Sequence, residues 1–564
     1  MQTIVLKFGS SVLRDENDLP TAVHEIYRWW RDGFQVVAVV SAFGNTTDEL
    51  TQRAHEVCEQ PNDALVAALL ATGEATSSVL LGLALNRSGI PATVLDAASA
   101  GLFTEGPILD ANLTSVDTAA VLETLRKGIV VLPGFVGKSR TGVTTLLGRG
   151  GSDLTALFIG QQLGGTCRLI KDVDGLYTSD PNFEGGPAAT RFQRVSYATA
   201  IRVGGAVVQR KAIEFAGRQR LRFSVSSIGS CRATEVGPHT DSVALAELPA
   251  RPLRVALLGC GTVGGGVYQR LAALPELFSV LAIGTRNFDQ VDVPAKFLTS
   301  DLEALIEEPV DVVVELLGGI EPARTLVSEA LRRGRNVITA NKALLASDLT
   351  QLQRFAANNA TLRYSAAVGG VAPALETIRR ARRVAPLHSI SGVLNGTTNL
   401  ILDQLASGSD LSDALLSAQQ NGYAERDPQL DLDGTDAAQK LILLARAAFD
   451  IDLPLRSITK QGIENLTTLA KSSNRITRLV AECHRTSRGF TASVSPIELS
   501  LDHPLACVRG VENRLLIQSQ TGQSWEVSGS GAGRWPTTEA VLSDLFDLRC
   551  DLIDAAAEEQ ECVA

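Results

Sequence analysis

Twice along this chain a short apolar run stops abruptly at glycine. The first run is Ile4–Phe8, followed at once by Gly9-Ser10-Ser11. The second is Arg254–Leu258, followed by Gly259-Cys260-Gly261-Thr262-Val263-Gly264. A parallel strand that runs straight into a glycine turn is how an open α/β sheet begins. Ligands of such sheets gather beyond the carboxyl ends of the strands, where glycine lets the backbone come close to them. Two such starts imply two sheets. The length of 564 residues accommodates that, at roughly 100–200 residues per domain.

Further strand-like runs follow the first start at 35–40, 128–132 and 167–170, with helical stretches such as 67–87 between them. This alternation predicts a mostly parallel, three-layer α/β domain over 1–236. Residues 237–253 (GPHTDSVALAELPARPL) carry turn residues and no clear period, and are expected to be a linker. The second start opens a dinucleotide-type domain over 254–360. Residues 361–550 mix helices and strands, and 551–564 read as a frayed helical tail.

Lys and Arg number 52 against 62 Asp and Glu, for a formal net charge of -10. A dedicated nucleic-acid binder carries a basic patch, so no nucleic-acid partner is expected. Small anionic substrates remain open, because local cations and helix N-termini hold them. The N-terminus lacks a secretory pattern, and no run of 18 or more apolar residues suggests a membrane span. Eight scattered cysteines without a CxxC pair and six histidines without HExxH argue against a disulfide frame or a structural zinc. A cytoplasmic protein is expected.

Around the first start, Lys7 and Gly9 sit where a strand ends, suited to a phosphate. The stretch Thr144-Thr145-Leu146-Leu147-Gly148-Arg149-Gly150-Gly151-Ser152-Asp153 gathers two hydroxyls, a glycine nest and an arginine, all anion-binding donors. Alternatively, Ser152 or Asp153 is only the N-cap of the helix that follows. The loop from Lys171 to Pro181 holds a nucleotide or is a surface loop of Asp-Gly and Asp-Pro turns.

At the second start, Gly259, Gly261 and Gly264 fit the dinucleotide fingerprint: one for the turn, one for pyrophosphate approach, one for helix packing. The next strand ends in Thr285-Arg286 rather than an acid. Arginine can pair with a 2′-phosphate, which favours NADP over NAD; an idle strand-end arginine is the alternative. Lys342 lies at the carboxyl end of a later strand, placed to orient substrate or relay a proton. Glu425, Asp427, Asp431, Asp433 and Asp436 crowd one segment before Lys440. Asp436 and Lys440 are four residues apart on one helix face, either a surface ion pair or, given the apolar run after Lys440, a buried functional one.

The strings KFGSSV (7–12), VVSAFGNTTDEL (39–50), GE (73–74), PGFVG (133–137), TTLLGRGGSDLTA (144–156) and KDVDGLYTSDP (171–181) resemble aspartate kinase, of the amino-acid kinase fold. The resemblance implies transfer of the γ-phosphoryl of ATP, with Mg²⁺, to L-aspartate. Lys7 would neutralise the phosphoryl group, while Ser41 and Thr47 position substrate. Arg149 would clamp a carboxylate, and Asp153 receive the amino group. Gly9, Lys171, Asp172, Asp174, Tyr177 and Asp180 would hold nucleotide. The chain departs from the family's KFGGTS at Ser10 and Ser11, and 206–211 lacks the usual His-Pro pair.

The strings VALLGCGTVGGGV (255–267), VITANKALLA (337–346), SGVLNGTTN (391–399), NGYAERDPQLDLDGTDAAQKL (421–441), HPLA (503–506) and SGSGAGRWPTTEAVLSDL (528–545) resemble homoserine dehydrogenase. This implies NAD(P)-dependent interconversion of L-aspartate 4-semialdehyde and L-homoserine. Lys342 and Lys440 would be the proton-handling and polarising pair. Glu425 and Asp436 would hold substrate, and Asp431 would support the lysine at the substrate. Gly259, Gly261, Thr262, Val263, Gly264, Arg286, Asn341 and Lys342 would line the cofactor. The backbone at Val368 would take Na⁺. Region 361–550 would be the catalytic and dimerisation domain, returning to the cofactor domain near its end, in a homodimer or dimer-based homotetramer. Together the resemblances imply a bifunctional enzyme of threonine, methionine and lysine-precursor biosynthesis. The alternative is an active dehydrogenase behind a degenerate or regulatory kinase-like domain. The interval between the kinase motifs, ending near 215, and the strand at 254 is too short for an ACT module, so feedback by threonine or lysine is expected to be absent.

Overall fold

The computed structural model describes every residue except Met1, 182–188, 206, 245–250, 287, 289, 290, 358, 422, 425, 426, 467–473 and 564. The chain divides into one unit of Met1–Pro249 with Cys550–Ala564 and another of Ala250–Arg549.

The first unit is built on a nine-stranded sheet. In spatial order its strands are Ser242–Val243, Phe192–Ser196, Thr234–Gly237, Phe223–Ser227, Thr166–Lys171, Thr3–Phe8, Gln35–Val40, Ile129–Pro133 and Ala92–Val94. The central pairs are parallel. Thr3–Phe8 is buried at every position, and Gln35–Val40 (QVVAVV) at all but the first. Runs apolar on both faces are what a sheet covered by helices on both sides requires. A second sheet joins Asn112–Ser115, Phe103–Glu105, Val136–Ser139 and Thr144–Leu146.

One expectation is corrected here. The segment read as a linker from 237 still belongs to the sheet as far as Val243, which pairs antiparallel with Phe192–Ser196. Polar bonds hold it, so no hydrophobic period betrayed it. Asp241 accepts from the Ser196 backbone N–H at 2.7 Å and from the Thr199 hydroxyl at 2.5 Å. One helix, Asp63–Arg87, is long and apolar enough to cross a membrane, with a mean hydropathy of 1.6 over its best window. Yet it buries Glu74, Ser77 and Ser78 in the unit's interior, which is core-helix behaviour.

The second unit holds two sheets. Leu298–Thr299, Phe278–Gly284, Leu253–Leu258, Val312–Glu315, Asn336–Thr339 and Leu362–Arg363 lie in that order, all parallel. This is the doubly wound order, in which the chain reverses direction between Leu253–Leu258 and Val312–Glu315. The other sheet runs Thr459–Lys460, Gly489–Ser500, Arg475–Thr486, Leu387–Val393, Glu512–Ser519 and Ser524–Ser530. It is antiparallel except at its first pair. Helix Thr435–Phe449 packs Leu441, Leu443 and Leu444 into one core with Ile390, Leu479 and Ala481 of that sheet. The fold class is thus a three-layer α/β region, a Rossmann-type sheet and an α+β region, as the sequence led us to expect.

The last helix, Arg534–Val563, returns to the Rossmann-type sheet. Ala540, Val541, Leu545 and Phe546 share a core with Val255, Leu257 and Val267. Residues 551–563, expected as a frayed tail, continue this helix. Gly266 permits the packing, since a Cβ there would lie 2.6 Å from the Thr538 hydroxyl. Arg270 pairs with Glu539 at 2.9 Å, the two side chains 7% and 0% exposed. Removing one partner of a buried pair strands the other charge, at a cost of about 3–5 kcal/mol. Glu539→Ala is therefore expected to lower the melting transition of this unit in scanning calorimetry, and Glu539→Gln to lower it less.

Candidate active sites

In the first unit, strand geometry assembles a buried ion triad. Thr3–Phe8 and Thr166–Lys171 are parallel neighbours, and each presents a lysine near its carboxyl end. Asp153 comes from the first turn of helix Gly151–Gln162. Lys7 Nζ lies 2.8 Å from Asp153 Oδ1, and Lys171 Nζ 2.9 Å from Oδ2. All three side chains are buried. Burial alone would raise the Asp153 carboxyl, but the Lys7 and Lys171 ammoniums hold it below its usual range. Burial, then the Lys7 charge, brings Lys171 down to about 8 against the pull of Asp153. Gly9 lies close beside them: a Cβ there would come to 2.9 Å from Lys7 Nζ. The helix N-cap is Gly150, at φ +80, with no side-chain cap. Neither Ser152 nor Asp153 caps it, so the capping alternative is corrected.

Glu74, seen in the sequence only as part of a family string, belongs to this site. Its Oε1 accepts from the Ala42 N–H at 3.4 Å, while its buried Oε2 has no hydrogen-bond partner among the described residues. Burial pushes the carboxyl up to about 7, opposed by the Ala42 N–H and the Lys7 charge. The only signal for it in sequence was a carboxylate in an otherwise apolar helix.

Arg149 is exposed on a turn between Gly148 and Gly150, both at positive φ. It makes no ion pair among the described residues. Lys211 fastens that turn, donating to Leu147 O at 2.7 Å and Asp110 Oδ1 at 2.6 Å. Sequence reasoning missed it because its partners lie far away in the chain. Ser41 and Thr47 are half-buried, and the Ser41 N–H donates to Phe8 O at 3.1 Å. The threonine hydroxyls read as anion donors are occupied instead. Thr145 bonds to Thr104 at 2.6 Å, and Thr144 accepts from Lys138 at 2.9 Å. In the nucleotide-loop candidate, Asp172 and Asp180 are exposed, and the Tyr177 hydroxyl donates to Asp174 at 2.6 Å.

In the second unit, the glycine roles separate cleanly. Gly259 (φ +105) faces the Leu316 carbonyl at 2.7 Å from an added Cβ, and Gly264 faces the Gly259 carbonyl at 2.2 Å. A Cβ at Gly261 would meet nothing within 4 Å. Gly261 is also the N-cap of helix Thr262–Ala272 and supplies no side-chain cap. Open space over uncapped helix N–H groups fits a pyrophosphate. Thr262 is exposed and Val263 half-buried on the first helical turn; Arg286 is exposed just past Phe278–Gly284.

Asn341 caps helix Lys342–Ala356, its Oδ1 accepting from the Leu344 N–H, and its Nδ2 donates to Gly319 O at 2.6 Å. The next residue, Lys342, reaches Asp436 Oδ1 at 3.1 Å with its side chain 40% exposed. Lys440 Nζ takes Asp436 Oδ2 at 2.9 Å and donates to Leu394 O at 2.7 Å. Asp436 and Lys440 are buried, so the helix pair is not a surface ion pair. Burial alone would raise Asp436; the Lys440 and Lys342 ammoniums hold it far below the carboxylate range. Asn395 Nδ2 bridges Asp431 Oδ1 at 2.6 Å and Asp436 Oδ2 at 2.8 Å. Burial, then the Asp436 charge, raises Asp431. Glu425 lies outside the described residues. Val368 is buried beside the short turn Ser365–Ala367. Ser365 there bonds Asp544 through its N–H at 2.9 Å and Glu376 through its hydroxyl at 2.7 Å. Among the described residues no three His, Cys, Asp or Glu side chains group as metal ligands.

Three family models match the chain in succession. The amino acid kinase family matches residues 2–225, the homoserine dehydrogenase NAD binding domain 259–365, and homoserine dehydrogenase 373–546. The homoserine dehydrogenase of Synechocystis is 35% identical over 316 residues, 52% of this chain and 73% of that protein. That of Corynebacterium glutamicum is 36% identical over 319 residues, 53% of this chain and 72% of that protein. A crystal structure of the homoserine dehydrogenase from Thiobacillus denitrificans has a TM-score of 0.51 at 32% identity, covering 53% of this chain and 73% of that one. The chain therefore belongs to the homoserine dehydrogenase family, with an amino-acid-kinase-like region preceding its NAD(P)-binding and catalytic regions.

Proposed function

We propose that the chain is a bifunctional enzyme of amino-acid biosynthesis. Its second unit interconverts L-homoserine and L-aspartate 4-semialdehyde with NADP, and its first phosphorylates L-aspartate from ATP. The observation that carries the dehydrogenase half is the Lys342–Asp436–Lys440 cluster in the same unit as the uncapped Gly261 turn. An ammonium has three donors. Lys440 spends two, on Asp436 and Leu394 O, which leaves one for the substrate oxygen. Lys342 shares Asp436 and is partly exposed, so it can pass a proton between substrate and solvent. In homoserine oxidation the hydroxyl proton goes to a lysine, while the bound nicotinamide supplies the hydride acceptor. Asp436 keeps both ammoniums in register, and Asn395 fixes Asp436. Asp431 and Glu425 are proposed to take the substrate's amino end. Arg286 is proposed to select the 2′-phosphate, and the Val368 backbone to take Na⁺. A homodimer or dimer-based homotetramer is proposed through 361–550.

The kinase half rests on Lys7 and Lys171 converging on Asp153. Phosphoryl transfer asks the protein mainly for positioning and charge neutralisation. Two ammoniums in a buried site supply the charge, with Mg²⁺ arriving on the ATP phosphates. The geometry revises one expected role. Both oxygens of Asp153 are occupied by lysines, so the substrate amino group is better received by Glu74, whose Oε2 is buried and unpartnered. Arg149, exposed on its glycine turn, takes the α-carboxylate. The loop from Lys171 to Asp180 is proposed to hold the nucleotide. Only residues 244–252 separate the last strand of the first unit from Leu253–Leu258. We propose accordingly that no ACT module intervenes.

A paired assay on purified protein tests both halves. Aspartate-dependent ADP release is expected from the wild type, and Asp153→Asn should cut its kcat by about 10²–10³-fold; no aspartate-dependent turnover in the wild type leaves a regulatory kinase-like domain instead. Lys440→Ala should lower homoserine oxidation by about 10²–10⁴-fold in kcat, with NADPH affinity, read by fluorescence titration, unchanged. Millimolar threonine or lysine should leave aspartate-dependent ADP release unaffected, and saturable inhibition would sink the missing-sensor proposal.

A further inference from the structure

A buried carboxylate that the proposed chemistry does not use sits between the dinucleotide turn and the lysine pair. Glu315 ends strand Val312–Glu315 and is fully buried. It accepts from the Leu317 N–H at 2.9 Å, the Thr339 hydroxyl at 2.5 Å and Asn341 Nδ2 at 3.3 Å. The Gly318 N–H also points to it. These partners are all neutral. Among the described residues no Lys, Arg or His forms an ion pair with it. A cluster of donors suits the ionised form, yet an anion without a cation is a costly thing to bury. The carboxyl itself is raised above its usual range, because burial outweighs the Thr339 and backbone donors that pull the other way.

The turn that Glu315 underlies has a particular place. Its Leu316 carbonyl abuts Gly259, and its Gly319 carbonyl is held by Asn341, next to Lys342. Gly318 and Gly319 adopt φ +76 and +70, and a Cβ on either would meet nothing within 4 Å. A dinucleotide anchored at Gly261 and reacting beside Lys342 has to cross this open turn with its nicotinamide end. That ring is a cation when oxidised and neutral when reduced.

We propose that Glu315 is the counter-charge for the oxidised nicotinamide, so that this site favours NADP⁺ over NADPH through a residue that touches neither. The inference rests on the dehydrogenase reading and extends it to the balance between the two cofactor forms. The missing cation of the Glu315 cluster is then the ring itself, which adds to what the donor shell does for the charged carboxylate beneath it. Thr339 and Asn341 hold the group at a fixed depth, while Gly318 and Gly319 keep the space above it clear.

Titration of tryptophan and nicotinamide fluorescence with NADP⁺ and NADPH tests this. Glu315→Gln is expected to weaken NADP⁺ by about tenfold or more and NADPH by less than about twofold. Equal weakening of both, or of neither, overturns the proposal and makes Glu315 a structural support. The wild-type protein gives the same test should the amide variant not fold. NADP⁺ should bind at least as tightly as NADPH, and a preference for NADPH of about tenfold overturns the proposal. Wild-type protein that binds neither nucleotide overturns the dehydrogenase reading instead.

Discussion

A carboxylate locked between two lysines organises each unit. Asp153 holds Lys7 and Lys171; Asp436 holds Lys342 and Lys440. The physics is the same in both. Dehydrating charges costs several kcal/mol per ion, and pairing in a poorly solvated site offsets it only when the geometry is tight. The strands and helices bearing these residues must therefore end at fixed positions. The excess of one positive charge at each triad is what an anionic phosphoryl group, or the oxygen of a carbonyl, can complement. In each unit the proposed chemistry and local stability draw on the same three side chains.

Around these triads the neighbouring residues do quieter work. Asn395 joins two carboxylates while capping helix Gly396–Ser407. Asn341 caps a helix while tying the Gly319 turn. Lys211 fastens the turn that presents Arg149. Each turns a backbone requirement, a cap or a turn carbonyl, into placement of a reactive group. On the proposed reading, the acyl phosphate made by one unit would have to be reduced before it became the aldehyde handled by the other.

Much of this was readable from residues alone, and the reasons for the remainder are physical. The glycine turns and the Asp436–Lys440 spacing are local patterns, and they emerged where local rules place them. The burial of Asp436 followed from the apolar run after Lys440. What escaped was non-local. Thr144 and Thr145 look like anion donors until Lys138 and Thr104 claim their hydroxyls. The pairing of Val243 depends on Asp241 reaching Ser196 and Thr199, which no hydrophobic pattern encodes. Glu315 stands out only through the cation it lacks among the described residues, and a missing partner cannot be read from a string of letters.

The last helix gives the chain a timetable. The Rossmann-type sheet is laid down by residues 253–363, but part of its core is Ala540, Val541, Leu545 and Phe546. A ribosome that has finished the sheet has still to make the whole α+β region before those side chains emerge. Domains generally fold as units in order of synthesis, so the kinase-like sheet can close early while the dinucleotide sheet waits with part of its core still to be made. A nascent chain spends much of its elongation with that domain incomplete, and the helix after Arg534 is the last piece of the core to be made.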